Sequence, residues 1–117
     1  MVDQPGSPSS AGEFKRRHKR HAADLPIHVN ATRGDLLEEE SGRMVDVSEG
    51  GLCFIGARYL PPGTHVDIDF EDCQLSGHVR QCRLREYASH VEFVTGIQIE
   101  RILSGMELWR NLTQGLR

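Results

Sequence analysis

The sequence has few cysteines and no long apolar run, and these absences limit the class of protein. No apolar stretch approaches the roughly 20 residues of a membrane-spanning helix, and the first residues lack the charged head and apolar centre of a signal peptide. Three cysteines among 117 residues, without a Cys-x-x-Cys pair, argue against a disulfide framework. With 38% hydrophobic residues, the chain can bury a core as one domain. We therefore expect a single cytoplasmic domain.

Aromatic residues are also scarce, at 6%, and the basic residues are concentrated in one place. Five of the 14 Lys and Arg residues lie between Lys15 and Arg20, which leaves 9 basic against 17 acidic residues elsewhere, a balance of −8. An acidic body repels long nucleic acids, whereas one cationic segment still attracts a small polyanion. A single-strand-binding surface also needs aromatics along a basic face. Four aromatics lie instead in acidic or apolar surroundings and are expected in the core: Phe54, Phe70, Tyr87 and Phe93.

The composition changes along the chain in a way that separates a tail from a folded domain. Residues 1–13 are rich in Pro, Gly and Ser and are expected to be a disordered tail, and 14–117 are expected to form one domain. Alternating or short apolar runs after that point are typical of strands. The predicted strands are Leu25–Ala31, Arg43–Val47 (with Val45 and Val47 on one face), Leu52–Ile55, Val66–Phe70, Gln74–Leu84, Tyr87–Val94 and Ile97–Ile102. Such short strands, about six in all, predict a small antiparallel barrel or sandwich.

The connections carry their own signals. The acidic stretch from Arg33 to Gly42 is expected to be a solvated loop or sheet edge, and Thr95-Gly96 is expected to break a strand. Pro61-Pro62-Gly63 predicts a type II turn. At the C-terminus, Ser104-x-x-Glu107 has the form of a capping box, and a helical apolar stripe follows it. The stripe consists of Met106, Trp109, Leu112 and Leu116. Trp109 is expected to anchor the helix on the core, and Gly115 is expected to end the helix.

Two short motifs indicate binding of a phosphorylated purine. Arg16 and Arg20 form an Arg-x-x-x-Arg spacing just before the first predicted strand, and Asp46-Val47-Ser48-Glu49-Gly50-Gly51 follows a later strand. Arginine presents a planar fork that matches phosphate oxygens and the guanine edge. A carboxylate accepts from the N1–H and N2–H donors of guanine, which adenine lacks as a pair. Glycines leave backbone N–H groups open to a ligand.

Each motif also has a simpler interpretation. The basic window alone is typical of a solvated tail that attracts anions in general, and Asp46 or Ser48 alone is typical of a turn that bonds nearby backbone. Ser48 with Asp46 lacks an evident histidine base for a hydrolase. A metal site at Cys73, His78 and Cys82 lacks a fourth ligand, although His78 and Cys82 are expected on one strand face. We therefore predict neither an enzyme nor a metal cofactor.

The two motifs together, in this order, resemble those of the PilZ family of cyclic di-GMP receptors, over Phe14 to about Leu103. The resemblance implies a six-stranded antiparallel barrel with a short C-terminal helix that binds cyclic di-GMP on its outer surface. It implies that Arg16 and Arg20 contact phosphates and the Hoogsteen edge, and that Asp46 and Ser48 contact a guanine edge or ribose. It assigns a close backbone approach to Gly51, beside which Gly50 is also present, and a further contact to Arg17. His21 and Lys19 depart from the family's pattern, which bears on affinity.

The resemblance also implies a mode of action. A stand-alone receptor without an output domain is expected to order its arginine-rich segment on cyclic di-GMP and then to signal to an unidentified downstream protein. The alternative is a PilZ-like adaptor that works through protein contacts without a ligand, and degraded motifs would mark it. Here Arg16, Arg20, Asp46, Ser48 and Gly51 are all present.

Overall fold

Strands form where the apolar residues alternate, and one helix follows them. The computed structural model describes residues 19–116, so the predicted tail, residues 1–13, lies outside the described residues. The strands are β1 (His21–Arg33), β2 (Leu36–Ser48), β3 (Gly51–Gly56), β4 (His65–Phe70), β5 (Cys73–Glu86) and β6 (Val91–Ser104), and the helix is α1 (Met106–Thr113). No helix in residues 19–116 is long and apolar enough to cross a membrane.

The six strands close into a barrel in the order β1-β2-β3-β6-β5-β4, and every neighbouring pair is antiparallel. Alternate residues point inward along most of the strands, as the period of a strand requires, with interruptions at bulges. The largest fully buried side chains include Phe54, Met44, Leu60, Ile68 and Leu75. The predicted fold class, an all-β six-stranded antiparallel barrel with a short C-terminal helix, is therefore confirmed.

Two expectations about strand limits need correction. The acidic stretch from residue 33 to residue 42, expected to be a loop or a sheet edge, is mostly not a loop, because β2 begins at Leu36 and pairs with β1 from Leu36 to Val47. Its first part does form an edge, since β3 pairs with β2 only from Arg43 onward. Thr95-Gly96 does not break a strand either, because both residues pair with β3 and β5 inside β6. In both places pairing with long neighbouring strands outweighs the low strand propensity of glycine and acidic residues.

The C-terminal helix closes one end of the barrel. It packs against β1, β2 and β5, and its buried side chains Trp109 and Leu112 join the barrel core. The predicted capping box does not form, because Gly105 is the N-cap residue with φ 78° and no side chain caps the helix. The predicted C-terminal glycine is confirmed: Gly115 has φ 71°, and the N–H groups of Gly115 and Leu116 donate to the carbonyls of Leu112 and Asn111, a Schellman motif.

The connections fall into two groups. The β2–β3 and β4–β5 turns lie at the same end as α1, which we call the helix end, and the other three connections lie at the opposite, distal end. The β3–β4 connection contains the predicted type II turn: Gly63 has φ 91°, and the Thr64 N–H donates to the Pro61 carbonyl over 3.1 Å. Among the four aromatics expected in the core, Phe54 and Phe70 are buried and Phe93 is half-buried, but Tyr87 is 50% exposed at the distal end.

Candidate functional site

A β-bulge turns Asp46 toward the outer surface of the barrel. Met44 and Val47 are both buried although they are three positions apart, an odd number, so strict alternation is interrupted between them. The interruption is a register shift between Met44 and Asp46 in the β2–β3 ladder. The extra residue reverses the facing of the residues after it, and Asp46 remains partly exposed next to buried Val47. The expectation that Val45 and Val47 share a face was wrong for the same reason.

Arg20 and Asp46, one from each predicted motif, form an ion pair on this surface. The Arg20 Nη2 donates to Asp46 Oδ1 over 2.9 Å, and Nε lies 3.3 Å from the same oxygen. The Arg20 side chain is 41% exposed and that of Asp46 is 31% exposed. The approach follows from the ladder, since His21 pairs with Val47 and Ala22 pairs with Asp46. The two motifs thus meet in space, 26 residues apart in sequence.

The other predicted site residues on β2 and β3 form the hairpin turn beside this ion pair. Ser48 pairs with Gly51, and Glu49 and Gly50 make the turn at the helix end. The Gly50 carbonyl accepts a hydrogen bond from the Ile99 N–H over 2.9 Å. A Cβ on Gly51 would lie 2.3 Å from the Ile97 carbonyl oxygen. Gly51 is thus required by the neighbouring strand itself, a reason that the sequence alone did not reveal.

The remaining arginines of the basic window are not part of the described structure. Arg16 and Arg17 lie outside the described residues, and the described chain begins with Lys19 and Arg20 just before β1. The role of Arg16 and Arg17 therefore stays a prediction. His21 is half-buried against the end of α1, where a Cβ on Gly115 would lie 2.6 Å from its Nδ1.

Cys53 is a buried neighbour of the ion pair. It pairs with Asp46 across the ladder and is buried, yet it is not part of the hydrophobic core that holds Leu52 and Phe54. Burial raises the pKa of its thiol, the Asp46 carboxylate raises it further, and nearby Arg20 lowers it. Because Leu52 and Phe54 on either side of Cys53 point into the core, alternation places the Cys53 side chain on the outer face of β3.

The weak metal candidate from the sequence is not assembled. Cys73 is fully buried in the core, and Cys82 packs inward, where its Sγ lies 3.2 Å from Thr95 Oγ1. His78 faces outward and lies 2.9 Å from Glu100. A bulge between Val79 and Gln81 separates the facing of His78 from that of Cys82, so the shared face expected from the sequence was wrong. Within residues 19–116, no group of three or more His, Cys, Asp or Glu side chains is placed to hold a metal ion.

Comparison with known proteins identifies the class to which this barrel and these motifs belong. The family model of the PilZ domain matches residues 14–107. The match covers most of the chain, so the chain belongs to the PilZ domain family, whose members are receptor and adaptor domains. A search of curated proteins returned no match.

Two solved structures share the fold. The PilZ domain with c-di-GMP of YcgR from Escherichia coli matches with a TM-score of 0.59 at 15% identity, over 86% of this chain and 87% of that one. The Bacillus subtilis inhibitor of motility, MotI/DgrA, matches with a TM-score of 0.57 at 16% identity. That match covers 85% of this chain, which spans 48% of the length of MotI/DgrA.

Proposed function

We propose that this chain is a receptor for cyclic di-GMP and that the ligand binds on the outer barrel surface beside the β2–β3 turn. The observation that carries the proposal is the ion pair between Arg20 and Asp46, which joins the two motifs at one place. Both side chains are partly exposed and so remain accessible to a ligand. An exposed ion pair is worth little, about 0–1 kcal/mol, so a ligand can replace it at small cost.

Each group has a chemical role toward a guanine dinucleotide. Arg20 donates to a phosphate or to the O6 and N7 acceptors of guanine. Asp46 accepts from the N1–H and N2–H donors of guanine, and this contact rejects adenine. Ser48 offers a hydroxyl to the same base edge or ribose, and the Gly50–Gly51 turn offers backbone at close range. Arg16 and Arg17 are the further cations that would join Arg20 around the phosphates.

Membership of the PilZ family supports this proposal. The solved structure of the YcgR PilZ domain, which has the same fold, is one with c-di-GMP. With 15% identity between the two chains, the likeness concerns the fold, and the assignment of ligand rests on the residues of this chain.

The mode of action that we infer depends on the arginine-rich segment. The ligand would draw the segment from Arg16 to Arg20 onto the Asp46 turn, and the ordered segment would present a new surface to a downstream protein. Ordering at the moment of binding costs free energy, so we expect moderate affinity. In this proposal the domain acts in the bacterial cytoplasm and performs no reaction on the ligand.

The experiment is a calorimetric titration with cyclic di-GMP, with cyclic di-AMP and GTP as competing ligands. The parent should bind cyclic di-GMP selectively, and Asp46→Ala should lose the selectivity. Asp67→Ala is the matched control, because this half-exposed aspartate on β4 is also paired, with His65 at 3.3 Å. Absence of binding by a folded parent chain would overturn the proposal.

A second candidate is a ligand-independent interaction domain, and one observation favours it. Several large apolar side chains are exposed on the three connections at the distal end and the strand ends beside them, away from the Asp46 turn. They are Leu36, Leu37, Tyr59, Leu84, Tyr87 and Val91. Exposed apolar patches of this kind often mark protein contacts. This candidate would gain support if the folded chain failed to bind cyclic di-GMP.

A further inference from the structure

One row of residues crosses the outer surface from the proposed site to strand β5. Asp46 on β2 pairs with Cys53 on β3, Cys53 pairs with Gly96 on β6, and Gly96 pairs with Gln81 on β5. Adjacent strands lie about 4.8 Å apart, so the row is about 14 Å long from the backbone of Asp46 to that of Gln81. The Arg20–Asp46 ion pair occupies one end of this row.

The facing of the neighbours shows that the row lies on the outside of the barrel. Leu52 and Phe54 flank Cys53 and belong to the core, and Thr95 and Ile97 flank Gly96 and are buried. Alternation therefore places Cys53 and the empty side-chain position of Gly96 on the outer face. The middle of the row has only the thiol of Cys53 and the hydrogen of Gly96, where other residues would have longer side chains. We call this shallow part of the surface the floor, and it lies between the polar side chains of Asp46 and Gln81.

Gln81 reaches over this floor. A Cβ on Gly96 would lie 3.4 Å from the Gln81 Cγ and 3.7 Å from its Nε2, so the Gln81 side chain extends across Gly96. The Gln81 side chain makes no hydrogen bond or ion pair within residues 19–116, and the residue is exposed. Its amide therefore has donors and an acceptor to offer to a ligand.

Arg83 adds a guanidinium to the same end of the row. Cys82 packs inward against the core, so Arg83 points outward two residues beyond Gln81. The Arg83 side chain is exposed and has no hydrogen bond or ion pair in the described part of the chain, in contrast to Arg85, which pairs with Glu92. Burial raises the pKa of the Cys53 thiol, and the guanidinium groups of Arg20, Arg83 and Arg85 lower it, in accord with their places near that residue.

We propose that Gln81 and Arg83 form the second half of the ligand site, so that one cyclic dinucleotide lies across β2, β3, β6 and β5 over Cys53 and Gly96. This inference rests on the proposed function. Cyclic di-GMP has two identical halves, each with a guanine and a phosphate, and the Arg20–Asp46 end addresses only one of them. Arg83 supplies a fork for the O6 and N7 acceptors or the phosphate of the other half. The Gln81 amide supplies a donor and an acceptor to its base edge.

The test is calorimetric titration of the full chain with cyclic di-GMP for the parent, Gln81→Ala and Arg83→Ala. Each variant should bind at least about fivefold more weakly, because one good side-chain contact to a base edge is worth about 1–3 kcal/mol. Both side chains are exposed and contribute nothing to the core, so the melting temperatures should stay unchanged.

Matched controls lie on β5 itself and on the neighbouring strand β6. Gln74→Ala removes an exposed glutamine from β5 at the helix end, and Arg101→Ala removes an exposed arginine from β6. Neither Gln74 nor Arg101 lies in the row, so both controls should keep the parent affinity. A two-dimensional NMR titration adds a direct readout, in which the Gly96 backbone signal and the Gln81 side-chain amide should shift when cyclic di-GMP is added.

The outcomes separate this inference from the proposed function. If the parent binds cyclic di-GMP selectively while Gln81→Ala and Arg83→Ala bind as the parent does, the second half-site is wrong and the receptor assignment stands. Signals of Gly96 and Gln81 that remain still during a titration that moves Asp46 and Ser48 would lead to the same conclusion. If the folded parent binds no cyclic di-GMP, the receptor assignment and the half-site are both wrong.

Discussion

Arg20 and Arg33 are two half-exposed arginines that lie at opposite ends of β1, and each pairs with one carboxylate. Both side chains are 41% exposed, and their partners are Asp46 and Glu38. An exposed ion pair contributes about 0–1 kcal/mol to the free energy of unfolding, so loss of either arginine should leave the barrel folded. The two positions therefore separate the stability of the barrel from binding of the ligand.

We expect Arg20→Ala to weaken cyclic di-GMP binding by about 10- to 100-fold, since a hydrogen bond to a charged group is worth about 1.5–3 kcal/mol. Arg33→Ala should bind as the parent does. Calorimetry gives the affinities, and thermal unfolding followed by circular dichroism gives the stabilities. A melting temperature of Arg20→Ala far below that of Arg33→Ala would mean that Arg20 is structural and that its assignment to the ligand is wrong.

Glu40 is a half-buried carboxylate outside the candidate site. Its Oε2 accepts a hydrogen bond from the Ala57 N–H over 3.1 Å, whereas its Oε1 is buried without a partner in the described structure. A Cβ on Gly56 would lie 2.4 Å from Oε2, so the glycine makes the room for this carboxylate. Burial raises the pKa of Glu40 above its ordinary value of 4.5, and the hydrogen bond from Ala57 only partly offsets this.

The raised pKa of Glu40 predicts a loss of stability with rising pH. The folded state holds the proton more tightly than the unfolded state, so Glu40 lowers the free energy of unfolding as the pH rises from about 4.5 through its higher folded pKa. Glu40→Gln removes this titration, and urea unfolding at pH 5 and pH 7.5 should show its stability rising relative to the parent at the higher pH. A constant difference in stability between Glu40→Gln and the parent at the two pH values would contradict the prediction.

At the scale of single elements, bulges and glycines decide what the sequence could not reveal. Strict alternation predicted β1 and β4 well, because Ile27, Val29 and Ala31 point inward without interruption. It failed on β2 and β5, where an extra residue reverses the facing of Asp46 and of Cys82. A bulge depends on pairing with neighbouring strands, so a single strand's own pattern does not locate it.

The glycines Gly51 and Gly96 lie on the same β3–β6 ladder and differ in what an added Cβ would meet. At Gly51 it would lie 2.3 Å from the Ile97 carbonyl oxygen, which is backbone, and at Gly96 it would lie 3.4 Å from the flexible Gln81 side chain. We therefore expect Gly51→Ala to lower the free energy of unfolding by about 1–3 kcal/mol, as overpacking does. Gly96→Ala should leave stability unchanged or slightly raised, because alanine has less backbone entropy to lose than glycine.

Urea unfolding followed by circular dichroism gives both free energies. Fluorescence of Trp109, the only tryptophan in the chain and a buried residue of α1, reports the same transitions. If Gly51→Ala is as stable as the parent and loses only ligand binding, the glycine is present for the ligand and not for the close approach of β6.

At the scale of the whole molecule, the architecture and the meeting of the two motifs were predicted better than the limits of the strands. Turn residues and alternation predicted about six short strands and a terminal helix but left a barrel and a sandwich open, and the resemblance to the PilZ family indicated the barrel. The meeting of Arg20 with Asp46 followed from a resemblance and now has a geometric basis in the β1–β2 ladder. The row that continues to Gln81 was not predictable, since it requires the order of four strands around the barrel.

Charge at this scale gives a last prediction, on salt and ligand choice. Outside the basic window the chain is strongly acidic, so a ligand held by charge alone would bind weakly and dissociate as salt increases. Such a site would also prefer GTP, which carries more phosphate charge than cyclic di-GMP. A site that reads guanine edges should keep its preference for cyclic di-GMP, with the dissociation constant rising by less than about tenfold between 50 and 200 mM NaCl. Calorimetry with both ligands at the two salt concentrations measures this preference. A preference for GTP at low salt that vanishes at high salt would mean that Arg20 and its neighbours attract anions in general and do not recognise guanine.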